Sequence, residues 1–90
     1  MTDEQDYKGL IGEIVKKQIA ILGPDVALLK ASNIEGLRLD AKGNALTVEG
    51  DQHEILQKLV DEYIELSGQI VKNVLKPVFA KYPSIEIDIK

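Results

Sequence analysis

Apolar and polar residues alternate along this chain with two different periods, and the switch between them outlines the architecture. Tyr7, Leu10, Ile11, Ile14, Val15, Ile21 and Leu22 fall at helical spacing and predict a helix from about Asp3 to Leu22. Thr2 and Gln5 have capping-box spacing, and Asp3, Glu4 and Asp6 put negative charge in the first turn, where the helix dipole favours it. Gly23 suits the end of that helix and Pro24 the first position of the next, a short helix from about Pro24 to Ala31.

From Leu37 the period shortens to two. Leu37 and Leu39 alternate with Arg38 and Asp40, and Leu46 and Val48 with Thr47 and Glu49. Ala41-Lys42-Gly43-Asn44 lies between them and supplies residues tolerant of positive φ, so a β-hairpin is predicted. Gly50-Asp51 closes it. Asp51 and Glu54 then have the spacing of an acidic capping box, opening a helix that runs through Leu56, Leu59, Val60, Tyr63, Ile64, Leu66, Ile70, Val71, Val74, Leu75 and Val78 to about Ala80. Pro77 is expected to kink that helix or end it early, and Pro83 to stop it near Tyr82. In the tail, Ile85, Ile87 and Ile89 alternate with Glu86 and Asp88, which predicts a third strand over 84–90. The expected fold is α+β in the order ααββαβ. It has a three-stranded antiparallel sheet, formed by the hairpin and the C-terminal strand, packed against the long amphipathic helix and the N-terminal helix.

With 90 residues, one domain spanning 1–90 is expected, without internal repeat or linker. The core material is aliphatic: one Phe and three Tyr are the only aromatic residues. Fifteen acidic residues against eleven basic ones give a net charge of −4. The single Arg is Arg38 and no basic run exceeds Lys16-Lys17, so binding to a phosphate backbone is not expected. Cysteine is absent, which excludes disulfides and thiolate sites from these residues. The N-terminal residues are acidic where a secretory leader is basic and then apolar, and no apolar run is long enough to span a bilayer. A cytoplasmic protein without membrane insertion is expected.

Motif chemistry is sparse. His53, with Asp51 and Glu54 beside it, lies in a first helical turn, where adjacent residues point in different directions and only i+3 or i+4 neighbours share a face. Asp61 and Glu65 share a helix face within a solvated arc, unlike two carboxyl groups flanking a cleft. Gly9 and Gly12 lie inside a helix rather than after a strand, so they do not form a phosphate-binding loop. Lys72, Lys76 and Lys81 suit the negative end of the helix dipole. No catalytic, cofactor or metal site is predicted. An enzyme using His53 or the Asp61/Glu65 pair is the least favoured alternative.

The third helix points to association. On a helical wheel its polar residues leave an apolar arc of roughly 200°, wider than an ordinary surface helix shows. A helix of about 30 residues would be a rod of about 45 Å, longer than the roughly 30 Å breadth of a domain this size. A homodimer would cover the excess. Leu59, Tyr63, Ile64, Leu66, Ser67, Ile70, Val71 and Val74 are the interface candidates. Gln18 joins them as a polar residue amid Ile11, Ile14, Ile21 and Leu22. Its amide either reaches solvent or makes a buried contact that fixes register between helices or subunits. Ser67-Gly68 would let a neighbouring backbone approach closely. The expected function is a small non-enzymatic regulatory or scaffolding module that acts by protein–protein contact. A binding module for a small apolar ligand, held between sheet and long helix with Tyr63 at its edge, is the alternative. The association reading requires that one chain leave Leu59, Ile64 and Val71 uncovered.

Overall fold

The structure, a computed structural model, describes residues 4–83 and 85, with residues 4, 5 and 67 described in their backbone only. Six elements follow one another: α1 (Glu4–Leu22), α2 (Pro24–Ser32), β1 (Leu37–Leu39), β2 (Ala45–Val48), α3 (Gln52–Ser67) and α4 (Gln69–Ala80).

Local signals set most of these boundaries. Gly23 takes a positive φ of 88° between α1 and α2, with Pro24 opening α2. Asp51 caps α3 by accepting a 3.1 Å hydrogen bond from the Glu54 N–H, as their spacing predicts. In the hairpin loop, Asp40 Oδ1 accepts from the N–H groups of Lys42 and Asn44, both at 2.9 Å, and Oδ2 accepts from Asn44 Nδ2 at 3.0 Å. That carboxylate closes the turn as an Asx motif.

Among the described residues the order is ααββαα with a two-stranded antiparallel sheet, not the predicted ααββαβ with three strands. Two physical differences account for this. First, the long helix is two helices. Gly68 takes φ 59° and ψ −123°, a backbone conformation that side-chain-bearing residues avoid, and it serves α3 as C-cap and α4 as N-cap. The apolar pattern stays helical on both sides of the break. Pro77 lies inside α4 without ending it. Second, of the predicted strand over 84–90 only Ile85 is among the described residues. It is buried, and its N–H donates to the Tyr82 carbonyl at 3.0 Å, a turn bond rather than a ladder bond. The remainder of that predicted strand lies outside the described residues.

The break removes the overhang. The 16 residues of α3 span about 24 Å, within a body of 32 × 24 × 17 Å. Leu10, Ile11, Ile14 and Val15 from α1 meet Leu56, Leu59, Val60 and Tyr63 from α3, and Val71, Leu75 and Val78 from α4, in one cluster. Ala27 and Ala31 of α2, with Leu37 and Val48 of the hairpin, extend that cluster to one side. α1 packs closely on the hairpin as well: a Cβ on Gly12 would touch the backbone of Gly43 and Asn44.

One hairpin residue departs from its predicted place. Leu37 pairs with Val48 and Arg38 with Thr47, but Leu39 pairs with Ala45, leaving Leu46 as the extra residue of a β-bulge. Leu46 is consequently 55% exposed instead of facing inward with Val48.

Candidate functional site

Two of the chain's exposed leucines share one depression. α2 and the hairpin stand side by side, and between them runs an open groove of about 970 Å³. Asp25, Leu28, Leu29 and Ser32 form its helical wall, at the spacing of one helix face. Leu37, Arg38 and Leu39 of β1, with bulged Leu46, form the wall opposite. Leu37 and Ile34 are buried at its floor, Leu28 and Leu39 are half-buried, and Leu29 stands 61% exposed. The bulge is what directs Leu46 here. A regular ladder would have kept its side chain in register with Val48.

The groove is negative. Asp25, Glu35, Asp40 and Glu49 contribute four carboxylates to its lining, against the single guanidinium of Arg38. The hydrogen bonds that Asn44 gives Asp40 hold that carboxyl below its ordinary range, so it stays ionised. Asp25, Glu35 and Glu49 are exposed around the apolar floor.

The candidates on the third helix are distributed otherwise. Leu59, Tyr63 and Val71 are completely buried within this one chain. Ile64 is half-buried against the core, and Val74 is half-buried. Leu66 and Ile70 remain exposed at 42% and 56%, on either side of Gly68. The side chain of Ser67 lies outside the described residues. Residues of both α3 and α4 are buried in one cluster with α1, so a single chain covers most of the apolar arc.

Tyr63 does not edge a ligand cavity. Its hydroxyl donates to the Ala27 carbonyl at 2.7 Å, and burial raises its pKa above the ordinary tyrosine range. Gln18 does not reach solvent: it is completely buried, and among the described residues neither Oε1 nor Nε2 has a hydrogen-bond partner. Nearby on α1, Glu13 Oε1 accepts from Lys81 Nζ at 2.9 Å, tying the end of α4 to the first helix. That carboxylate raises the Lys81 pKa.

The residues considered for chemistry stay apart. His53 and Glu54 are exposed on the first turn of α3, and Asp61 and Glu65 are exposed further along. Asp61 accepts a 3.0 Å hydrogen bond from Gln57 Nε2, an ordinary pairing along a helix face. Among the described residues no cluster of three or more His, Asp or Glu side chains could hold a metal ion. No helix among them is long and apolar enough to cross a membrane.

Sequence reasoning missed Leu29 and Leu46. Adjacency to Leu28 gives no signal for Leu29, since neighbouring pairs such as Leu10-Ile11 and Leu59-Val60 are both buried in this chain, and the bulge at Leu46 leaves no mark on the alternation. No family model, curated protein or solved structure matches this chain.

Proposed function

We propose that this chain is a small non-enzymatic interaction module whose working surface is the groove between α2 and the hairpin. The observation that carries this reading is the pair Leu29 and Leu46, 61% and 55% exposed, facing one depression from its two walls. Surface aliphatics gathered around a concave, apolar floor favour burial against a partner. A small-molecule site fits less well. Such pockets enclose roughly 70–90% of their ligand, and this groove is more open than enclosed. Its size at about 970 Å³ suits several side chains of a polypeptide lying along it. A cytoplasmic setting belongs to the same proposal and rests on the acidic, cysteine-free composition.

Self-association as a homodimer through the third helix is a second reading, favoured by exposed Leu66 and Ile70 beside half-buried Ile64 and Val74. Its requirement that one chain leave Leu59 and Val71 uncovered is not met, since both are completely buried within the chain, as is Tyr63. A stable dimer needs about 800 Å² from each partner, far more than two exposed side chains supply.

Site-specific photocrosslinking tests the two together. A photoreactive residue at Leu46 is expected to yield a defined adduct in cells, identified by mass spectrometry, and one at Lys58 none. An adduct from Leu66 to a second copy of the chain, with Leu46 silent, would replace the groove reading with the dimer.

A further inference from the structure

The groove reading leaves its occupant open, and resting on that reading we propose a specific one: an extended segment of a partner protein that alternates aliphatic residues with Lys or Arg and pairs its backbone with the edge of β1 that has no strand beside it among the described residues. Three observations lead there.

The first is the edge. Among the described residues the sheet has two strands, so β1 pairs with β2 on one side only. Glu49 N–H bonds to the Gly36 carbonyl, which fixes the alternation of the ladder. Gly36 and Arg38 direct their main-chain groups toward β2, while Leu37 and Leu39 direct theirs away from it. The Leu37 N–H is used by the Ile34 carbonyl at 3.2 Å. The Leu37 carbonyl and the main chain of Leu39 face the groove side, where an added strand finds them.

The second is the spacing of the apolar side chains. An added strand presents successive side chains to opposite faces. One set would meet Leu28, Leu39 and the floor, with Leu29 beside it on the helical wall.

Charge is the third. Four carboxylates and one guanidinium line the groove, so residues placed between the apolar ones meet a negative rim. Basic side chains complement that rim and acidic ones are repelled by it. The chain's own tail, Ile85-Glu86-Ile87-Asp88-Ile89, has the required alternation with the opposite charge. That makes it a natural control.

The test uses the full chain, labelled for NMR, and three synthetic seven-residue peptides: one alternating valine with lysine, one carrying the 84–90 tail sequence, and the basic peptide with valine order scrambled to break alternation. The basic alternating peptide is expected to shift the amide signals of Leu28, Leu29 and Leu39. The tail peptide should bind at least tenfold more weakly. The doubly neutralised variant Glu35→Gln/Glu49→Gln should weaken the basic peptide several-fold at low salt, with the gap narrowing as salt rises. N-methylation of the basic peptide at alternate residues, in two registers, reads strand pairing directly: one register should lose binding and the other keep it.

Equal binding of the acidic and basic peptides, equal effects of both N-methylation registers, or no shift at those three amides overturns this occupant. A groove that is crosslinked at Leu46 in cells yet indifferent to peptide charge or strand pairing would leave the interaction module standing and remove its proposed ligand. Silence at Leu46 in cells removes the module reading itself.

Discussion

The hydroxyl of Tyr63 donates to the main-chain carbonyl of Ala27 across 2.7 Å, although the two residues are 36 positions apart in the chain. This buried bond fastens α3 to α2, the helix whose other face forms the groove wall. Tyr63→Phe is expected to cost about 1 kcal/mol, the net worth of one such bond, because the rest of the ring stays packed. The sign of its pH dependence follows from burial. The folded chain holds the Tyr63 proton above the ordinary tyrosine value, so the unfolded chain loses its proton first as pH rises. Stability contributed this way is present below about pH 10 and declines above it. Urea titrations at pH 8 and at successively higher pH should show a steeper alkaline loss for the natural chain than for Tyr63→Phe. Equal slopes would mean that the phenol is not buried.

Gln18 gives the opposite expectation. A completely buried amide with neither end partnered among the described residues opposes folding. Gln18→Met keeps the length of the side chain and removes both polar atoms. Stability should rise by about 1–3 kcal/mol, read from the denaturation midpoint. A loss of comparable size would show that the amide is hydrogen-bonded in the folded protein.

Gly68 should resist substitution. With φ 59° and ψ −123°, any residue bearing a Cβ is strained there, although the nearest atom beyond its chain neighbours is 4.0 Å from that Cβ. Gly68→Ala is therefore expected to cost about 1–3 kcal/mol through backbone strain rather than through a clash. A neutral result in thermal unfolding would contradict the division into α3 and α4.

Buried and exposed leucines should respond differently to substitution. Leu59 is completely buried, and Leu59→Ala should cost about 2–5 kcal/mol. Leu29→Ser and Leu46→Thr alter exposed positions, and each should change stability by less than about 0.5 kcal/mol. Losses near those of Leu59→Ala would mark both leucines as core residues and take away their availability to a partner.

How far the sequence reached is clear from particular residues. α1, α2 and the hairpin were readable because their apolar positions recur at 3.6 or 2 and their ends carry Gly23-Pro24 and Asp40–Asn44. The cap at Asp51 was readable for the same reason. The break at Gly68 was not. A glycine inside a helical run costs only about 1 kcal/mol relative to alanine, so apolar spacing continues through it whether the helix breaks or not. Read as one helix, the segment is too long and too apolar for one chain to cover, and the dimer expectation rests on that length. The groove stayed hidden because Ala45-Leu46-Thr47-Val48 alternates as a regular strand would. Only the pairing of Leu39 with Ala45 shows that Leu46 is displaced.

Hydrogen exchange on the chain, alone and bound to the partner crosslinked through Leu46, gives the most direct test of the groove as the working surface. Slower exchange of the Leu39 amide and of the α2 residues around Leu28 and Leu29, with α4 unchanged, is the predicted pattern. Protection confined to the segment around Leu66 and Ile70, with Leu39 exchanging as fast as in the free chain, would contradict it.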